Sequence, residues 1–262
     1  MTGLDDAIVV DIGGTTSDIG ILQDGFPRES NVVIEVGGVR TNFRMPDILA
    51  IGLGGGSLVS ADGKTIGPQS VGHNLVSEGL VFGGKTLTAT DIVVATGLVE
   101  IGESSHVAGL RPETREAATL EISRMLNAGI EKMKPSSDPL PVILVGGGAV
   151  LITEDLAAAS SMLRPEHAGV ANAIGAAIAQ IGGESERLVS YEKIPRQEAV
   201  QEVTQEAMAL ALAAGADSAS LRVADVEETS ISYMAGNTAR LRVKVVGDIA
   251  ALEKPGSEET TA

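Results

Sequence analysis

Residues 7–24 read Ala7-Ile8-Val9-Val10-Asp11-Ile12-Gly13-Gly14-Thr15-Thr16-Ser17-Asp18-Ile19-Gly20-Ile21-Leu22-Gln23-Asp24. The apolar run 7–12 has the length of a buried strand, and Gly13-Gly14-Thr15-Thr16 breaks it. The apolar pattern resumes over 18–22, turns at Asp24-Gly25, and returns over 31–36. Three short strands joined by tight turns predict an antiparallel meander. The first turn also gathers chemistry. Paired glycines let a phosphate approach bare backbone and aim N–H groups at it. Thr15 and Thr16 add hydroxyl donors, and Asp11 at the strand end offers the hard oxygen ligands that suit Mg²⁺ held through water. The plainer alternative is a Gly-rich hairpin with a capping Asp. Carboxylate, glycine pair and hydroxyl pair together favour the phosphate reading.

Further along, Gly-rich stretches dominate residues 37–84, including Gly52-Leu53-Gly54-Gly55-Gly56-Ser57, and read as loops and short strands. A helix is predicted over 90–101 with Thr90 as its cap, and a longer one over 112–133. In the latter, Ala118, Ile122, Met125, Gly129 and Met133 share a face, and Lys134-Pro135 stops it. Residues 141–145 form a second buried strand that runs into Gly146-Gly147-Gly148. Such a turn places a nucleotide against bare backbone or merely packs a strand on a helix, and its spacing matches neither the dinucleotide fingerprint nor a P-loop. Helices follow over 154–163 and 165–181, the latter with Val170, Ile174, Ala177, Ile178 and Ile181 inward. Gly182-Gly183-Glu184-Ser185-Glu186 then looks like a seam. Beyond it come a helix over 195–214 and a half-buried strand over 240–245, whose Arg240, Arg242 and Lys244 stripe reads as solvated.

Composition limits what this framework can do. Aromatic residues are 2% of 262, so the core must be aliphatic and close-packed, and 32 glycines permit that. A net charge of −16 repels phosphate backbones and anionic membranes, which argues against nucleic acid and membrane partners. The same charge means a nucleotide would need backbone amides or Mg²⁺ to bind. With no Cys there is no disulfide, thiolate site or Cys nucleophile. No apolar run approaches a membrane span and the first residues lack a basic leader region, so a soluble cytoplasmic protein is expected.

Secondary candidates carry open alternatives. His73, Glu78 and Asp91 are a divalent-metal or substrate set, or else unrelated loop residues, because their spacing matches no ligand signature. Arg40 and Arg44 meet a phosphate or carboxylate substrate, or pair with Glu35 and Asp47. Ser57 is a hydrogen-bonding contact without a triad around it.

Taken together, the segments at 11–18, 145–148 and 164–177 resemble the second half of the actin, Hsp70 and sugar-kinase ATPase superfamily. More narrowly, the chain resembles the hydantoinase A/oxoprolinase family. That resemblance rests on Val10-Asp11-Ile12-Gly13-Gly14-Thr15-Thr16-Ser17-Asp18, Gly38-Val39-Arg40-Thr41, Leu53-Gly54-Gly55-Gly56-Ser57, Gly67-Pro68-Gln69-Ser70, Thr88-Ala89-Thr90-Asp91 and Val145-Gly146-Gly147-Gly148. It implies a ribonuclease H-like, actin-like ATPase lobe over residues 1–185, with a mixed sheet, packed helices and a Gly-rich insertion at about 51–139. A helix-plus-strands segment over 186–262 would follow. The function implied is an ATP-dependent hydrolase that opens hydantoin or 5-oxoproline rings by phosphorylating the amide oxygen, with ATP and Mg²⁺ as cofactors. Asp11 and Asp18 would be its catalytic carboxylates, Asp11 its metal ligand, and Gly13, Gly14, Thr15, Thr16, Gly146, Gly147 and Gly148 its nucleotide contacts. Arg40, Ser57, His73 and Asp91 would face the substrate.

Family members carry two Asp-x-Gly-Gly-Thr motifs and this chain has one. The resemblance therefore implies the C-terminal lobe alone, inactive without an N-terminal lobe or partner subunit, with an exposed apolar face that a second copy could also cover. The competing readings are a non-catalytic nucleotide-binding or scaffold subunit, and a component of a related ketone carboxylase.

Overall fold

The opening apolar run becomes β1 (Ala7–Ile12), with Ala7, Ile8, Val10 and Ile12 fully buried. The computed structural model describes residues 3–30, 34–36, 39–41, 45–177, 179–234 and 236–250. It shows a mixed α/β chain that divides into two units, Met1–Asn172 and Ala173–Ala262. After β1 the first unit contains β2 (Ser17–Gln23), β3 (Phe26–Pro27), β4 (Ile34–Val36), β5 (Val39–Thr41), β6 (Ile48–Ile51), β7 (Ser57–Val59), β8 (Ile66–Ser70), β9 (Leu140–Val145) and β10 (Ala159–Leu163). Its helices are α1 (Leu75–Glu78), α2 (Ala89–Ala95) and α3 (Pro112–Met133).

Six strands make a mixed sheet in the order β10-β9-β1-β2-β3, with β6 also paired to β2. β1 runs antiparallel to β2 from Ala7↔Leu22 to Ile12↔Ser17, and parallel to β9 from Ile8↔Val142 to Asp11↔Val145. Buried on both sides, β1 and β9 need the unbroken apolar runs that their sequences supply. The expected meander is only partly realised. The place beside β2 is shared by β3 at Leu22–Gln23 and β6 at residues 17–20, while β4 pairs with β5 in a hairpin of its own. Arg28 N–H still donates to the Ile21 carbonyl at 2.8 Å, Glu29 then bridges to Pro46, and the chain returns to β2 as β6.

α3 has the bounds its periodicity predicts. Its buried face is Ala118, Ile122, Leu126, Gly129, Ile130 and Met133, and Met125 packs at its edge. Gly129 lies directly over Ile19 of β2, where a Cβ would overlap the Ile19 Cδ1 methyl. Each fully buried Ile or Leu in this layer contributes about 1.5–3 kcal/mol, so these contacts dominate the unit's stability.

Three sequence expectations are corrected. The helix expected over 90–101 is α2, seven residues long. Its cap is Thr88 rather than Thr90, and Gly97 at φ +78° ends it. The helix expected over 154–163 gives way to β10, which adds in parallel to the free edge of β9 (Ala159↔Leu140, Leu163↔Ile143). Sheet context there overrides the helix propensity of Ala and Leu. The helix expected over 165–181 shrinks to α4 (Ala171–Ala177). Val170 is exposed, Ile178 lies outside the described residues, and Ile181 already belongs to a strand.

The second unit is a three-stranded antiparallel sheet of β11 (Ile181–Ser190), β12 (Arg222–Ser230) and β13 (Thr238–Gly247), with β13 central, and α5 (Arg196–Ala213) packs on it. β11 runs straight through the expected seam at 182–186. Gly183 is needed there because a Cβ would overlap the α5 backbone at Ala207 and Ala211. Ala199, Val203, Ala207 and Ala211 of α5 meet Leu241, Val243 and Val245 of β13. The stripe on the opposite face is not simply solvated. The Arg242 side chain is only 6% exposed and lies within 3.2 Å of Glu227, 3.5 Å of Asp225 and 3.6 Å of Glu184. Among the described residues, no helix is long and apolar enough to cross a membrane.

Candidate functional site

The β1–β2 hairpin closes with the Ile12↔Ser17 pair and a bond from Gly13 N–H to the Thr16 carbonyl at 2.9 Å. Gly14, Thr15 and Thr16 are exposed. The bend at 53–56 takes up the turn's carbonyls. Gly55 N–H donates to Gly13 O at 3.0 Å and Gly56 N–H to Gly14 O at 2.7 Å. Among the described residues, no acceptor stands opposite the N–H groups of Gly14, Thr15 and Thr16. The turn thus has three of its four carbonyls engaged and three of its four amides without an acceptor among the described residues, a polarity suited to an anion.

Close approach requires glycine on both flanks. A Cβ on Gly54 would stand 2.5 Å from Thr15 N. On the other side, Gly146 adopts φ +84°, and a Cβ there would overlap Asp11 Oδ1 and the Ile12 carbonyl. A Cβ on Gly148 would stand 2.6 Å from Ile12 Cγ2 and 2.7 Å from Gly13 O. The triple-glycine bend and the hairpin turn are thus in direct contact. Gly146 and Gly147 also line a cleft of about 540 Å³ with Leu98, Val150, Arg164 and Gly169. That volume falls within the range of small-molecule sites.

Asp11 and Asp18 are directly opposed in the β1–β2 ladder, so both carboxylates stand on one sheet face beside the turn. Like charges so placed destabilise a hairpin. Among the described residues neither carboxylate has a cationic partner. Asp11 accepts one hydrogen bond, from Asn172 Nδ2 to its Oδ2 at 3.2 Å. Sequence reasoning passed over Asn172. The available signal was its position as the one polar side chain in 168–177.

The remaining candidates separate. Ser57 is buried behind the 53–56 bend, and its Oγ accepts from Gly54 N–H at 2.8 Å. Asp91 is fully buried and accepts from Val81 N–H, Thr88 N–H and Thr88 Oγ–H at 2.7–2.8 Å, closing the capping box of α2. Glu78 is exposed at the end of α1. His73 is exposed and follows Gly72, where a Cβ would lie 3.9 Å from Thr15 Oγ1. Among the described residues, no three His, Asp or Glu side chains gather as metal ligands. The backbone of Arg40 is opposite Glu35 in the β4–β5 ladder, with its side chain outside the described part, and Arg44 lies outside the described residues. Asp47 pairs with Arg28, at 2.7 Å.

Two solved structures and one family model are similar to this chain. A nucleotide-free structure of acetone carboxylase, from work on ATP-dependent acetone carboxylation, matches at TM-score 0.55 and 15% identity. The match covers 94% of this chain and 47% of that one. The ethanolamine utilization protein EutJ from Carboxydothermus hydrogenoformans matches at TM-score 0.28 and 16% identity, over 64% of this chain and 47% of that one. This chain therefore spans about half the length of the solved structures it matches. No curated protein matches the sequence. The family model described as Hydantoinase/oxoprolinase matches residues 1–134, more than half of the chain, and the chain belongs to that family.

Proposed function

We propose that this chain is the nucleotide-binding lobe of an ATP-dependent enzyme that opens a cyclic amide such as a hydantoin or 5-oxoproline. The observation that supports the reading is the Gly13–Thr16 turn, which lies against the triple-glycine bend, has the carbonyls of Gly13, Gly14 and Thr16 engaged, and has no acceptor among the described residues for the amides of Gly14, Thr15 and Thr16. In this reading the amides of Gly14, Thr15 and Thr16 and the two threonine hydroxyls hold the terminal phosphates. Gly146 and Gly147 admit the nucleoside to the neighbouring cleft. The lobe belongs to the ribonuclease H-like, actin-like class, consistent with a β1–β2 hairpin flanked by parallel β9 and β10.

The donor set fits Mg²⁺. Two carboxylates on one face, with no cationic partner among the described residues, match the one or two that this ion takes alongside phosphate oxygens and water. Asp11 and Asp18 would hold it, and when bound it would neutralise charge on the transferring phosphoryl group. The rest is positioning. The turn amides orient the γ-phosphoryl group toward the amide oxygen of the ring. An O–P bond forms there as the β,γ-bridging bond breaks and ADP departs. Water then adds to the activated ring carbon, the ring C–N bond breaks as the nitrogen takes up a proton, and a second water cleaves the resulting acyl phosphate to carboxylate and phosphate. The half-length match to acetone carboxylase supports a further region that completes the cleft, and Leu98, exposed at the cleft edge, suits such a contact.

Titration of the chain with MgATP tests the nucleotide reading. The expected affinity is about millimolar, near −4 kcal/mol, with Asp11→Ala weakening it at least tenfold. No binding at tenfold higher nucleotide, or an unchanged Asp11→Ala variant, would overturn it.

A further inference from the structure

The carboxylate of Asp11 is held from two directions. On one side the Gly146 backbone lies against Oδ1, so closely that no larger residue fits. On the other, Asn172 Nδ2 donates to Oδ2 from 161 residues away in sequence. Asn172 is brought there by a local scaffold. Gly146 N–H donates to the Ala168 carbonyl at 2.9 Å, which ties residues 168–170 to the triple-glycine bend, and α4 begins immediately after. Asn172 is exposed, and the side chains from 168 to 177 are otherwise Ala, Gly, Val and Ile, so it is the one side chain of that stretch able to donate to Asp11.

We propose that Asn172 is a positioning residue that presets the Asp11 carboxylate for a divalent cation. The proposal rests on the reading of Asp11 as a metal-bearing group. The choice of amide has a physical reason. A Lys or Arg at 172 would neutralise Asp11 and compete with the cation, and an Asp would add a third like charge beside Asp11 and Asp18. A neutral N–H donor fixes one oxygen and leaves the carboxylate its full charge. Carboxylates that bind metals are commonly oriented by such partners, whose removal costs 10–100-fold in metal affinity.

The test is Mn²⁺ titration of the full chain with ADP present, followed by water-proton relaxation, alongside ADP binding in EDTA. The wild-type chain should take up Mn²⁺ in a manner that Asp11→Asn abolishes. Asn172→Ala should weaken that uptake 10–100-fold and Asn172→Gln should restore part of it, while ADP binding in EDTA stays unchanged in both Asn172 variants. Mn²⁺ affinity of Asn172→Ala within twofold of wild type would overturn the positioning role and leave the Asp11 reading standing. Equal loss of metal-free ADP binding in Asn172→Ala would also overturn it, because the residue would then be structural. Absence of any Asp11-dependent Mn²⁺ uptake would remove the metal reading and the Asn172 role together.

Discussion

The two units use glycine and charge in opposite ways. In the second, Gly183 lets α5 sit on the sheet, and the contact encloses nothing but core. In the first, Gly54, Gly146 and Gly148 bring backbone just as close, yet what they surround is a turn whose Gly14, Thr15 and Thr16 are exposed, with amides that have no acceptor among the described residues. The charges divide similarly. Arg242 is ringed by Glu184, Asp225 and Glu227, whereas Asp11 and Asp18 face each other with no cationic partner among the described residues. A tight glycine contact is therefore not in itself a mark of function. The informative feature is the polar group that the tight contact leaves unsatisfied.

The largest expected effect comes from a matched pair of substitutions. Gly146→Ala and Gly183→Ala each force a methyl into backbone, and Gly146 also sits at positive φ, so each should cost roughly 3 kcal/mol in urea denaturation. Gly146→Ala should in addition lose MgATP binding, and Gly183→Ala should retain it. Equal loss of binding in both would break the distinction between the units. A middle-sized effect is expected for Arg242→Met. It strips three carboxylates of their shared partner and should cost about 1–3 kcal/mol, with nucleotide binding unaffected. If the variant were instead as stable as wild type, the ionic face would be a matter of solubility alone.

The smallest effect concerns the α3 surface. The Arg124 hydrogen bond holds the Glu121 carboxyl below the usual range, outweighing the opposing effect of burial. With its folded-state pKa depressed, the pair's stabilisation is present above the ordinary Glu pKa and is lost as pH falls through the lowered value. Glu121→Gln should cost about 0.3 kcal/mol at neutral pH, with the difference vanishing in acid, as pH-dependent melting would record. A constant difference across that range would assign the effect to packing.

Local chemistry made the β1–β2 hairpin, α3 and α5 legible. A strand of unbroken aliphatics, a Gly-Gly-Thr-Thr break and an apolar period near 3.6 are each properties of neighbours along the chain. The candidate site was legible at the same level as a carboxylate, two glycines and two hydroxyls in one turn. Pairings across long separations were not. Ala159–Leu163 is a strand because β9 has a free edge, and the stretch 182–186 is a strand because β13 runs beside it. Asp91 looks like a ligand in sequence and serves as a cap in space, since Thr88 and Val81 supply its donors.

The sequence alone thus determined which turn has the composition to meet a phosphate, because backbone freedom and hydroxyl supply are local. Only the tertiary structure decided that the amides of Gly14, Thr15 and Thr16 have no acceptor among the described residues, that the triple-glycine bend stands against the turn, and that Asn172 reaches Asp11. Those outcomes depend on which distant backbones occupy the same few ångströms, and no periodicity or spacing in the chain records that.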